Sequence, residues 1–86
     1  MSNDMSETMS KAYWHSVNFC HNVLVRFPGG MNTPVRWMRH DQTGESFGTS
    51  TIEALVKRKK AFYSKWQEGR RGKFPIEVTM ITIDGM

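Results

Sequence analysis

Between Ala12 and Phe27 the chain alternates. Tyr13, His15, Val17, Phe19, His21, Val23, Val25 and Phe27 share one parity, and mostly polar residues share the other, with Leu24 the exception. Period two, with aromatic and β-branched residues on one side, predicts β structure. The stretch is longer than an ordinary strand, so it reads as one bent strand or as two strands broken near Cys20 to Asn22. Pro28-Gly29-Gly30 ends it, because proline removes a ladder donor and glycine accepts positive φ. Thr33–His40 reads as a second strand, with Val35 and Trp37 on one face and Arg36, Met38 and His40 on the other. Asp41-Gln42-Thr43-Gly44 is a turn leading into a short strand, Glu45–Gly48.

The period then changes. Ser50-Thr51-Ile52-Glu53 has the form of a capping box and opens a predicted helix running to about Glu68, with Gly69 as its left-handed stop. At 100° per residue, Ile52, Leu55, Val56, Phe62, Tyr63 and Trp66 fall within an apolar arc of roughly 120°. Lys57, Arg58, Lys60 and Lys65 lie away from that arc, whereas Lys59 falls inside it. A lysine there must lay its stem along the core and send its ammonium out to water or an acid. Phe74–Ile83 alternates again, with Phe74, Ile76, Val78 and Met80 facing one way. The predicted class is therefore α+β: a small, mostly antiparallel sheet in the order β-β-short β-α-β, with one amphipathic helix packed on one face. Residues 1–10 read as a flexible polar leader and 11–86 as a single compact domain. A Phe74–Ile83 strand at the sheet edge would favour pairing into a homodimer.

Composition narrows the class further. Eighty-six residues make one domain, and a lone cysteine, Cys20, cannot form an internal disulfide. The acidic, apolar-poor start is unlike a secretory signal, and no apolar run approaches the ~20 residues that span a bilayer. The expectation is a cytoplasmic protein with no membrane partner.

Charge changes the picture more. The net charge is +4, but Lys57 to Lys73 holds eight basic residues against one acid, Glu68. That segment is +7; the rest, with four basic and seven acidic residues, is −3. A local excess of this size attracts polyanions and releases their counterions. The residues expected to contact nucleic acid are Lys57, Arg58, Lys60, Lys65, Arg70, Arg71 and Lys73, with Arg36, Trp37 and Arg39 on the second strand. The cations suit phosphates, and Trp37 or Trp66 would stack on bases if exposed. RNA or single strands are favoured over duplex DNA, because a sheet backed by a helix offers flat rings to unpaired bases.

Other chemistries find weaker support. His15, Cys20, His21 and His40 are metal-ligand types, but on strands Cys20 and His21 would diverge, so no metal or cofactor is expected. Cys20 lacks a placed base and third group, so no nucleophilic site is expected. A metal-free ribonuclease using His40 with Arg36 and Arg39 is the residual enzymatic reading. The rival to nucleic-acid binding is a small inhibitor or adaptor of the phage or mobile-element type. Such a protein would bind and block a host enzyme, with RNA as a bridge.

Overall fold

A computed structural model describes residues 5–82. The elements run α1 (Glu7–Phe19), β1 (Val23–Phe27), β2 (Arg36–Met38), β3 (Phe47–Gly48), α2 (Thr49–Lys57), β4 (Ala61–Gly69) and β5 (Gly72–Met80). The strands form one antiparallel sheet in the order β3-β2-β1-β5-β4. Both helices pack on it and on each other. The α+β class and antiparallel sheet agree with the sequence pattern; the element order, with two helices rather than one, does not.

The first difference lies at Ala12–Phe27, the first half of whose alternating stretch is helix. Ser6 caps α1, its hydroxyl accepting from the Met9 N–H at 3.2 Å, and Glu7 occupies the first turn. Met9, Ala12, Tyr13 and Ser16 are buried at spacings of three, four and seven, which is a helical face. Helix therefore begins within the stretch read as a polar leader, and the ordered domain starts before Lys11. Residues 1–4 lie outside the described residues. Cys20 ends the helix, and His21 (φ 55°) and Asn22 (φ 70°) turn the chain into β1. The Tyr13 hydroxyl donates to the Ile81 carbonyl at 2.6 Å and fastens α1 to the chain leaving β5.

The second difference is the long helix expected from Ser50 to Glu68. Here α2 starts at Thr49 with Gly48 as N-cap and no side-chain capping bond, so the Ser50–Glu53 box does not cap it. It stops at Lys57. The Lys59 N–H donates to the Val56 carbonyl (3.0 Å) and the Lys60 N–H to the Leu55 carbonyl (2.9 Å), with Lys59 left-handed at φ 62°. This pair of bonds is a Schellman ending built on lysine instead of glycine. Ala61–Gly69, expected to be the second half of the helix, is β4, and Gly69 closes a strand rather than a helix. Phe62 and Trp66 are accordingly exposed instead of buried in a helical arc.

Residues paired across neighbouring strands share a face. Leu24, Val78 and Tyr63 form one row, with Trp37 beside Phe47 and Ala61 beside Met80. Ile52 and Leu55 of α2 and Met9, Ala12 and Tyr13 of α1 complete this core. On the opposite face lie Val23, Val25, Met38, Phe62, Glu77 and Thr79. There Thr79 donates to Ser64 Oγ at 2.7 Å and Ser64 to Glu77 Oε1 at 2.8 Å, at a bulge in β4. The strand expected at Phe74–Ile83 is β5, which runs Gly72–Met80 and lies between β1 and β4; Ile83 lies outside the described residues. The sheet edges are β3 and β4, so any edge pairing would involve one of those. Among the described residues no helix is long and apolar enough to cross a membrane.

Two stability effects follow. Leu55 is fully buried, so Leu55→Ala should cost about 2–5 kcal/mol in urea unfolding, while Lys57→Ala stays within ~0.5 kcal/mol of the parent. Lys59→Gly should instead stabilise the domain by up to ~1 kcal/mol, since glycine carries no Cβ penalty in the left-handed region. A loss of stability in Lys59→Gly would contradict the assigned helix ending.

Candidate nucleic-acid interface

The basic segment does not form one helical face. Lys57 closes α2, Arg58 is its C-cap, and Lys59 and Lys60 make the turn into β4. Four consecutive cations at a helix C-terminus complement the negative end of the helix dipole, so part of the run has a structural cause. The remaining cations lie along the β4–β5 hairpin. From Lys60 to Arg70 the chain is extended, a distance of roughly 30 Å at ~3.3 Å per residue. The Debye length at physiological salt is about 8 Å, so Arg70 and Arg71 do not reinforce the field of the α2 turn as the sequence pattern suggested. Two basic centres replace one.

The outer centre is an arm. Pairing between β1 and β5 ends at Val25 opposite Glu77, whereas β4 and β5 continue together to Gly69 opposite Gly72. Every residue from Ser64 to Lys73 is exposed, and the molecule measures 41 Å along its long axis against 25 and 22 Å. Arg70, Arg71 and Lys73 sit on this arm with Glu68 as its one acid, a local charge of +2, and Lys65 stands at its root opposite Glu77. Among the described residues none of these cations makes an ion pair; the pairs present are Lys11–Glu45 at 3.6 Å and Arg39–Asp41 at 3.5 Å.

The arm is braced from its base. The Arg26 guanidinium lies over the Phe74 ring, 4.9 Å from its centroid. The same ring crosses Gly69 so closely that a Cβ there would come within 2.8 Å of it, so Gly69 is required by the approach. At the apex Gly72 takes φ 118°, which leaves Arg70 and Arg71 in ordinary backbone conformations. Trp66 is 51% exposed and meets Tyr63 edge to face at 5.6 Å. Arg26 and Phe74 are the parts of the site that sequence reasoning missed. Their only signal was an arginine and a phenylalanine on strands that turn out to be neighbours.

The second-strand candidates do not join the arm. Trp37 is 1% exposed in the core, where it packs near Tyr63, so it cannot stack on a base. Arg36 donates from Nε to Ser46 Oγ (3.1 Å) and from Nη2 to the Ser46 carbonyl (2.7 Å), which locks the β2–β3 loop. Arg39 is held by Asp41, whose carboxyl lies below the usual range chiefly through its hydrogen bond from the Thr43 hydroxyl.

The residual catalytic trio is likewise not assembled. A shallow cavity of about 210 Å³ is lined by His15, Phe19, Arg39, Thr43 and Gly44, so Arg39 meets His15 there and not His40. His15 Nε2 accepts from the Glu45 N–H at 3.3 Å, and its ring packs against Phe19 and Phe47. Among the described residues no three His, Cys, Asp or Glu side chains are grouped to hold a metal ion. No family model matches the chain, and no curated protein or solved structure matches it either.

Cys20 is buried, and burial pushes its thiol up, partly opposed by Arg39. It should therefore react with Ellman's reagent at least about tenfold more slowly in the native protein than in urea at neutral pH. Its folded pKa lies above the unfolded one, so its contribution to stability is present below the ordinary thiol range and is lost as pH rises through the alkaline range. Cys20→Ala should flatten that alkaline loss without abolishing it, because burial also raises the Tyr63 phenol, with Glu53 adding to the shift. Urea midpoints of both proteins at neutral and alkaline pH measure this.

Proposed function

We propose that this protein binds nucleic acid without catalysis, and that the β4–β5 arm is its principal contact, flanked by the cations of the α2 turn. The observation that carries the reading is the arm itself. Beyond the sheet the hairpin has three cations, one acid and no internal ion pair among the described residues, and its residues from Trp66 to Lys73 contribute nothing to the core. Like charges that neither pair nor pack repel one another, and a polyanion removes that repulsion while releasing its own counterions. The rival reading, a protein that occludes an enzyme, would expect an apolar centre with a polar rim at the contact. The tip residues Gly69 to Gly72 offer no such centre.

Binding should weaken linearly in log Kd against log salt, each neutralised phosphate adding about 0.7–0.9 to the slope. Reversing Arg70 and Arg71 to Glu should lower the slope by about 1.4–1.8. Reversing Lys57 and Arg58, an equal formal change, should lower it less. Circular dichroism must first show both variants folded. Equal loss from the two pairs would assign binding to net charge alone, and no loss from either would favour the protein-directed reading.

A further inference from the structure

The shape of the arm specifies the kind of nucleic acid. Granted the nucleic-acid reading above, on which this step rests, we infer that the ligand is B-form duplex DNA and that the β4–β5 arm enters its major groove.

A single strand is held in a concave charged channel whose walls present open aromatic faces. The arm is the reverse of that. It is convex, and its pairs Trp66–Pro75, Gln67–Phe74, Glu68–Lys73 and Gly69–Gly72 are in register with no third strand. Its central ring offers no platform: the Arg26 guanidinium covers one part of Phe74, and Gly69 lies closely against another. Trp66, half exposed, meets Tyr63 edge to face and is the one open ring on the arm, where a single-strand channel presents successive ones. These rings stiffen the hairpin. An aromatic laid across a cross-strand glycine fixes the twist of a ribbon, and a cation over that ring ties the ribbon to β1.

A stiff two-stranded ribbon has a definite complement. Its strands lie about 4.8 Å apart, and with side chains it fits a groove about 12 Å wide. Four residue pairs beyond the sheet extend for roughly 10–13 Å, enough to reach the floor of a groove about 8.5 Å deep. The major groove of an A-form helix is deep and too narrow for side chains to read, which disfavours duplex RNA. The charge order along the arm suits the same placement. Lys73 lies on the shaft and Lys65 at its root, where the groove walls carry phosphates. Arg70 and Arg71 are at the apex, level with base edges, where arginine pairs with guanine O6 and N7. Because the bracing exists before binding, little ordering entropy is lost on insertion.

Fluorescence anisotropy of the full chain decides this with four labelled probes of one mixed sequence, each about 20 nucleotides long. They are duplex DNA, duplex RNA and the single strand of each. The expected result is at least about tenfold tighter binding to duplex DNA than to the other three, a difference of ~1.4 kcal/mol. Glucosylated hydroxymethylcytosine, which fills the major groove, should weaken duplex binding by a similar factor. Netropsin, which occupies the minor groove, should leave it unchanged. Arg70→Ala with Arg71→Ala should remove the duplex preference in a protein whose circular dichroism is unaltered. Single-strand binding equal to or tighter than duplex binding would overturn this inference while leaving the nucleic-acid reading standing. Displacement by netropsin with indifference to glucosylation would also overturn it. No binding to any probe would overturn both.

Discussion

Everything outside the first helix is arranged by one constraint, the crossing that α2 makes from one edge of the sheet to the other. It leaves β3 at one edge and must deliver the chain to β4 at the opposite edge. Nine helical residues span about 13–14 Å, whereas five strands are spread over roughly 19 Å. The shortfall is covered by the Arg58–Lys60 turn. Ile52 and Leu55, both fully buried, anchor the crossing to the core. The turn has to occur where α2 reaches the last row of the sheet, and a continued helix would have run past it. Ending at Lys57 is therefore a requirement of the sheet's width, and the left-handed Lys59 is its local cost.

Because α2 delivers the chain to an outer position, β4 has a partner on one side only. Long edge strands invite unwanted pairing, and this one carries the usual defences: two register shifts around Lys65, and the lysine itself. The shifts release the far half of the hairpin from the sheet. Pro75, which has no N–H to offer, stands two residues beyond the last pairing with β1, at the root of the free portion. Sheet order, bulge and proline act together to produce an arm. The cross-strand contact of Arg26 with Phe74 then keeps that arm from collapsing or fraying.

Much of the sheet was legible in the chain, and the errors have particular causes. Trp37 and the Gly48 boundary were readable because branched and aromatic residues alternate between glycine-rich breaks, although the strand expected at Thr33–His40 is only Arg36–Met38 and leaves Val35 outside. At α1 the helical face is Met9, Ala12, Tyr13 and Ser16, two of whose members are small and escape a search for bulky apolar positions. The large residues Tyr13, Val17 and Phe19 happen to alternate, and they gave the louder, false period. At α2 the deception runs the other way. Phe62, Tyr63 and Trp66 continue the spacing of Ile52, Leu55 and Val56 although the backbone has already changed to strand. One residue disagreed, since Lys59 fell inside the apolar arc of the extended helix. That misfit was the position of the helix end, hidden because the stop is a lysine where glycine is usual.

The candidate site was legible in composition and not in shape. The eight cations from Lys57 to Lys73 were apparent from the sequence, but their meaning depended on whether they shared a helix. On a helix they would have formed one broad field suited to any polyanion. With β4 extended, the same charges divide into a turn that satisfies a helix dipole and a narrow ribbon tipped by Arg70 and Arg71. A broad field attracts without regard to the ligand's form, whereas a ribbon some 10 Å across can be surrounded only by something with a groove of that width. With Ala61–Gly69 as strand and not helix, the net charge is still +4, but the proposed nucleic-acid reading points to a different class of ligand. On the proposed reading, selectivity comes from the backbone that carries the arginines, and their number alone would give none.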